Sequence, residues 1–153
     1  MGEYMLKNAL AAGEVHDVEV ISRAMTSGEA GNSIDERAQR VLAAHGLDAS
    51  AHRARQLDPE ELAGMNLVLA MDTDHFEALV PLLAELDESA RPQLRMLRSF
   101  DPATASKPHA AQGIYDPWYG DAGDFRQTWQ LIHASLPPLV DYVRSHSTTR
   151  GNH

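Results

Sequence analysis

The sequence predicts an α/β fold, a three-layer sandwich with a small, mostly parallel sheet and helices on both faces. Three observations predict it. Segments with helical apolar spacing alternate along the chain with short apolar runs of strand length. The run at 66–71, NLVLAM, is continuous rather than alternating, as in a strand buried on both faces. Helix start and stop residues, among them Asp58-Pro59, Gly46 and Asp72, fall between these segments.

Taken in order, residues 1–12 read as a helix, with Met1, Tyr4, Met5 and Ala9 on one stripe and Leu6 and Leu10 beside it. No Ser, Thr, Asp or Asn precedes it as a cap, so a start upstream of Met1 is one expectation and a frayed terminal helix is the other. Residues 18–22, VEVIS, alternate like a strand. Ser33 and Glu36 fit a capping box for a helix carrying Ala38, Val41, Leu42 and His45, which Gly46 terminates. Asp58 and Pro59 open a short helix. The strand at 66–71 leads to Asp72, a cap for a helix built on Phe76, Leu79, Val80 and Leu83. Residues 94–100, LRMLRSF, are a third strand, with loose alternation. A long helix spans 123–144 with Phe125, Trp129, Ile132, Leu136 and Val140 inward, and Pro137 and Pro138 are expected to kink it. One domain at 1–145 and a polar, disordered tail at 146–153 follow.

Bulk composition narrows the function classes. The 153 residues are 43% hydrophobic and 23% charged, ordinary for a soluble domain. A net charge of −9 disfavours nucleic acid and anionic membranes as partners. No apolar run reaches the roughly 18 residues of a membrane span, and no secretory leader opens the chain, so a cytoplasmic location is the default. There is no cysteine, hence no thiolate nucleophile within these residues. The histidines show no metal-binding spacing, and no metal or cofactor is expected.

One loop stands out. Residues 113–121, GIYDPWYGD, place an acid and a proline beside two aromatic rings. Alone, Asp-Pro is a common turn starter. With MGEYMLKNAL, IDERAQRVLAAHG, AHRARQL, NLVLAMD and RMLRSFDP, in that order over nearly the whole chain, this loop resembles the low-molecular-weight protein tyrosine phosphatases. The most specific match is Asp116-Pro117-Trp118-Tyr119-Gly120, similar to the family's Asp-Pro-Tyr-Tyr-Gly.

The resemblance implies a four-stranded sheet and hydrolysis of phosphotyrosine monoesters, with a Cys nucleophile in a Cys-x5-Arg phosphate loop. It implies Asp116 as general acid, Pro117 aiming it, Trp118 and Tyr119 against the substrate ring, and His52 supporting the phosphate loop. The chemistry is sound: the leaving phenolate belongs to an acid of pKa about 10, and a placed proton donor contributes a factor of about 10² to 10⁴. The family's first strand and phosphate loop have no counterpart in these residues, so the sequence reads as an N-terminally truncated member, inactive as it stands and of low stability. The implied substrates are a phosphotyrosine protein or a small aryl phosphate, with a tyrosine kinase as a candidate partner.

A second departure is SRAMTSG at 22–28, where Arg23 and Met25 replace the family's small residues and no Trp follows to wall the pocket. A non-catalytic pseudo-phosphatase that binds a partner is the alternative. An arsenate reductase on the same fold would need redox cysteines, which are absent. Arg53 and Arg55 read as surface or structural residues, and Asp72 as a helix cap.

Overall fold

The computed structural model describes residues 1–28, 30–115, 117 and 120–150, with side chains through His146. The main elements are α1 (Gly2–Ala12), α2 (Glu36–Ala44), β1 (Leu67–Ala70), α3 (Thr73–Ala84), β2 (Gln93–Met96) and α4 (Ala122–Arg150), with short 3-10 turns at Pro59–Gly64, Glu88–Ala90, Leu97–Ser99 and His109–Ala111. Strands β1 and β2 pair in parallel, Leu67 opposite Gln93 and Ala70 opposite Met96.

The side-chain period of two in β1 divides the molecule into layers. Leu67, Leu69 and Met71 pack on a core of Met5, Leu42, Ile132, Leu136 and Leu139, supplied by α1, α2 and α4. Val68 and Ala70 face the other way, onto Leu79 and Leu83 of α3 and Leu62 of the first 3-10 turn. Helices therefore cover both faces, and α3 is the crossover that parallel pairing requires. No described helix is long and apolar enough to cross a membrane.

Local chemistry explains most boundaries. Asp58 and Glu61 form a reciprocal capping box, with Pro59 at the first position. The Asp72 carboxylate accepts from the His75 N–H at 2.8 Å, capping α3 as expected. Gly46 adopts φ +79°, a left-handed conformation that only glycine takes without strain, and closes α2.

Several expectations need correction. Residues 18–22 form no ladder. Their burial alternates as in a strand, and Val18 and Val20 pack on Leu10, Val15 and Val140. No described segment lies alongside to exchange hydrogen bonds, and the nearest pairing is the isolated bridge between Ala24 and Gln56. The described sheet thus has two strands, not three. The cap of α2 is Asp35, which accepts from the Arg37 N–H, because Ser33 is drawn into an antiparallel bridge with Arg53. Strand β2 ends at Met96, where the Ser99 hydroxyl donates to the Met96 carbonyl and the chain turns into a 3-10 segment. Helix α4 contains both prolines and runs to Arg150, so 146–150, assigned to the tail, are helical.

Candidate active site

Ligands of open parallel sheets bind outside the carboxyl ends of the strands. Three segments converge there. The first is the end of β1: the Met71 carbonyl accepts from the Ile114 N–H at 2.7 Å, tying the Asp-Pro loop to the strand. The second is the first turn of α1. Glu3 accepts from the Ser22 N–H at 2.8 Å, the Ser22 hydroxyl at 3.0 Å and the Lys7 ammonium at 3.1 Å. Burial pushes the Glu3 carboxyl up, but these donors outweigh it and hold the group below its usual range.

The third is His52, whose Nδ1 lies 4.0 Å from Glu3 and whose ring meets Tyr4 edge-on at 5.6 Å. Burial lowers the His52 pKa, against the opposing pull of Glu3, so the neutral imidazole is favoured. His52 is half-buried against α1.

The Asp-Pro loop is anchored on both sides. Before it, Arg98 donates to the carbonyls of Ala111 and Gly113, each at 3.4 Å, and the buried Gln112 amide donates to the Thr104 and Lys107 carbonyls. After it, the Gly120 N–H donates to the Pro117 carbonyl, and Asp121 and Asp124 cap each other's backbone N–H groups at the start of α4. Pro117 is half-buried. Asp116, Trp118 and Tyr119 lie outside the described residues.

Arg23 does not point to a free cationic subsite. Its guanidinium is held by Glu61 at 3.1 Å and by the Ser22 carbonyl at 2.8 Å. Met25 packs beside Leu62 and Met96. Arg53 donates to the carbonyls of Ser50 and His52, the structural role expected of it. Sequence reasoning missed Glu3, Ser22 and Arg37. The Asp35-x-Arg37 spacing at a helix start was the available signal for the last, and nothing local marked the other two.

Comparison with known proteins identifies the family. The family model described as low molecular weight phosphotyrosine protein phosphatase matches residues 1–148. Low molecular weight protein-tyrosine phosphatase A of Mycobacterium tuberculosis is 41% identical over 126 residues, 82% of this chain and 71% of that protein. A low molecular weight protein-tyrosine-phosphatase of Streptomyces coelicolor is 33% identical over 133 residues, 87% of this chain and 77% of its own length. Among solved structures, Primo-1 superposes with a TM-score of 0.80 at 26% identity, covering 92% of this chain and 86% of that one. The chain belongs to the low molecular weight protein tyrosine phosphatase family.

Proposed function

We propose that the chain carries the acid-and-pocket half of a phosphotyrosine monoester hydrolase. Asp116 protonates the departing phenolate oxygen as its bond to phosphorus breaks. Pro117 restricts the backbone on either side. Trp118 and Tyr119 stack on the substrate ring and exclude water, and His52 is the supporting residue beneath a phosphate loop. The anchoring of the loop at Ile114, on the Met71 carbonyl that follows β1, and at Gly120, on Arg37, carries this reading. Substrates are phosphotyrosine proteins or small aryl phosphates in the cytoplasm, a tyrosine kinase supplies the phosphoprotein, and no cofactor is required.

Phosphoryl transfer also needs a nucleophile and a cradle of donors for the charged transition state. The 153 residues contain no thiol, so on their own they do not run this chemistry. The test is direct. The purified chain should leave phenyl phosphate unhydrolysed, and the same chain joined ahead of Met1 to a family strand and Cys-x5-Arg loop should hydrolyse it. Turnover by the unjoined chain that vanishes in Asp116→Asn would assign another nucleophile and sink the proposal. The intact mass and N-terminal sequence of the protein from its own cells decide which form is physiological.

A second reading is a pseudo-phosphatase that binds a partner without turnover. It is favoured by the commitment of Arg23 to Glu61, which leaves that cation unavailable to phosphate. It predicts equal calorimetric affinity for tyrosine and phosphotyrosine peptides, and a clear preference for the phosphorylated peptide counts against it.

A further inference from the structure

We propose that Arg37 is the clamp on the distal end of the acid loop, and so a positioning residue for Asp116. The inference rests on the reading of Asp116 as the acid. Arg37 stands in the first turn of α2, far from the loop in sequence, yet its Nη1 donates to the Gly120 carbonyl at 2.7 Å. The guanidinium is itself fixed on two sides. Both Asp35 oxygens accept from it, at 3.1 Å from Nε and 2.9 Å from Nη2. Its Cζ lies 4.5 Å from the centroid of the buried Phe125 ring, at the start of α4. A planar fork held by a carboxylate and a ring has little freedom left to lose when it grips a carbonyl.

The gripped residue has no slack either. A Cβ on Gly120 would fall 2.8 Å from the Asp124 Cβ, so the chain passes hard against the capping pair of α4. At the other end, the Ile114 N–H is fixed on the Met71 carbonyl. Only five residues, 115–119, separate these two pins. The Ile114 pin belongs to β1. The Arg37 pin is the one that α2 contributes, through side-chain chemistry that a mutation can remove.

Amide hydrogen exchange on the whole 153-residue chain tests the clamp, read residue by residue by NMR. In Arg37→Ala, exchange at Gly120 and Asp121 should rise roughly ten- to hundredfold, the range spanned by one charge-assisted hydrogen bond. Ile114 should keep its protection. Arg37→Lys, which retains a donor but not the fork, should recover part of the effect. Arg40→Ala, on the same helix and exposed, should change nothing. If Arg37→Ala fails to fold, Asp35→Asn keeps a helix cap while loosening the guanidinium, and should raise exchange at Gly120 alone. Gly120 exchange within twofold of the unaltered chain, or a uniform rise that includes Ile114, overturns the proposal. None of these readouts uses the Asp116 carboxyl, so the failure of Asp116 as the acid would be seen separately, in the hydrolysis assay of Asp116→Asn.

Discussion

The imidazole of His45 lies flat on the indole of Trp129, with ring centroids 3.7 Å apart and 8° between the planes. His133, one turn further along α4, also stacks on the indole, at 4.5 Å and 13°. The indole thus stacks with the residue that ends α2 and with a second ring of α4, and it fastens the end of α2 to the long helix. His45→Ala should lower stability by about 0.5–1.5 kcal/mol, the worth of an aromatic pair. Urea unfolding followed by circular dichroism would measure it, and an unchanged midpoint would show that the stack contributes nothing.

Acid should weaken the join between α1 and the segment at Ser22, and the sign follows from two groups. The Glu3 carboxyl is held below its ordinary value by donors outweighing burial, so its contribution is present above that value and lost as pH falls through the folded one. His52 is also lowered, through burial, so the fold favours its neutral form. Its contribution is complete above the ordinary histidine value and is lost as pH falls through the lower folded value. Both groups therefore lose stability on acidification, His52 first. Thermal melts from pH 7 to pH 3 should show a falling midpoint, and Glu3→Gln should flatten the part below the ordinary glutamate range.

The central layer gives the largest expected losses. Leu42 and Leu139 are fully buried in the core shared by α1, α2 and α4. Leu139→Ala should cost about 2–5 kcal/mol, transfer and cavity together. That is a large share of a typical stability of about 5–15 kcal/mol. Loss of a cooperative melt near physiological temperature is the expected result, and a melt within a few degrees of the unaltered protein would mean that the site collapses around the gap.

Much of this was legible where local chemistry decides the outcome. Asp58-Pro59, Asp72 and Gly46 mark element ends because their side chains or backbone freedom act within a few residues. The apolar run at β1 announced a strand covered on both faces. What could not be read depends on partners distant in sequence. Residues 18–22 have a strand's alternation, but a ladder also needs a neighbour, and alternation says nothing about that. Ser33 is as good a cap as Asp35 until its bridge to Arg53 is known. The contacts of Arg37 with Gly120 and of Glu3 with Ser22 span 83 and 19 residues, beyond any local pattern. The family resemblance supplied the Asp-Pro loop, which composition alone reads as a turn.

The sheet predicts modest overall stability. With two strands, β1 and β2 each keep an outer edge that no described strand pairs. Isolated two-stranded pairs are marginal without packing, and an open edge invites association. The 153-residue chain should melt at low temperature and self-associate on heating, and adding a family strand and Cys-x5-Arg loop ahead of Met1 should raise the midpoint. Calorimetry and light scattering distinguish the cases, and a sharp, concentration-independent melt at high temperature would contradict the expectation.

The role proposed for Asp116 makes its own demand on substrates. A proton donor matters most when the leaving oxygen is basic, because a good leaving group departs as the anion unaided. In the chain joined to a Cys-x5-Arg loop, Asp116→Asn should therefore lower kcat for phenyl phosphate by about 10² to 10⁴. It should lower kcat much less for p-nitrophenyl phosphate, whose phenol is more acidic. KM should change little for either, since the proton is delivered only as the bond breaks. An equal loss on both substrates would show that the residue holds the loop or binds the ring, because neither of those roles depends on the basicity of the departing oxygen.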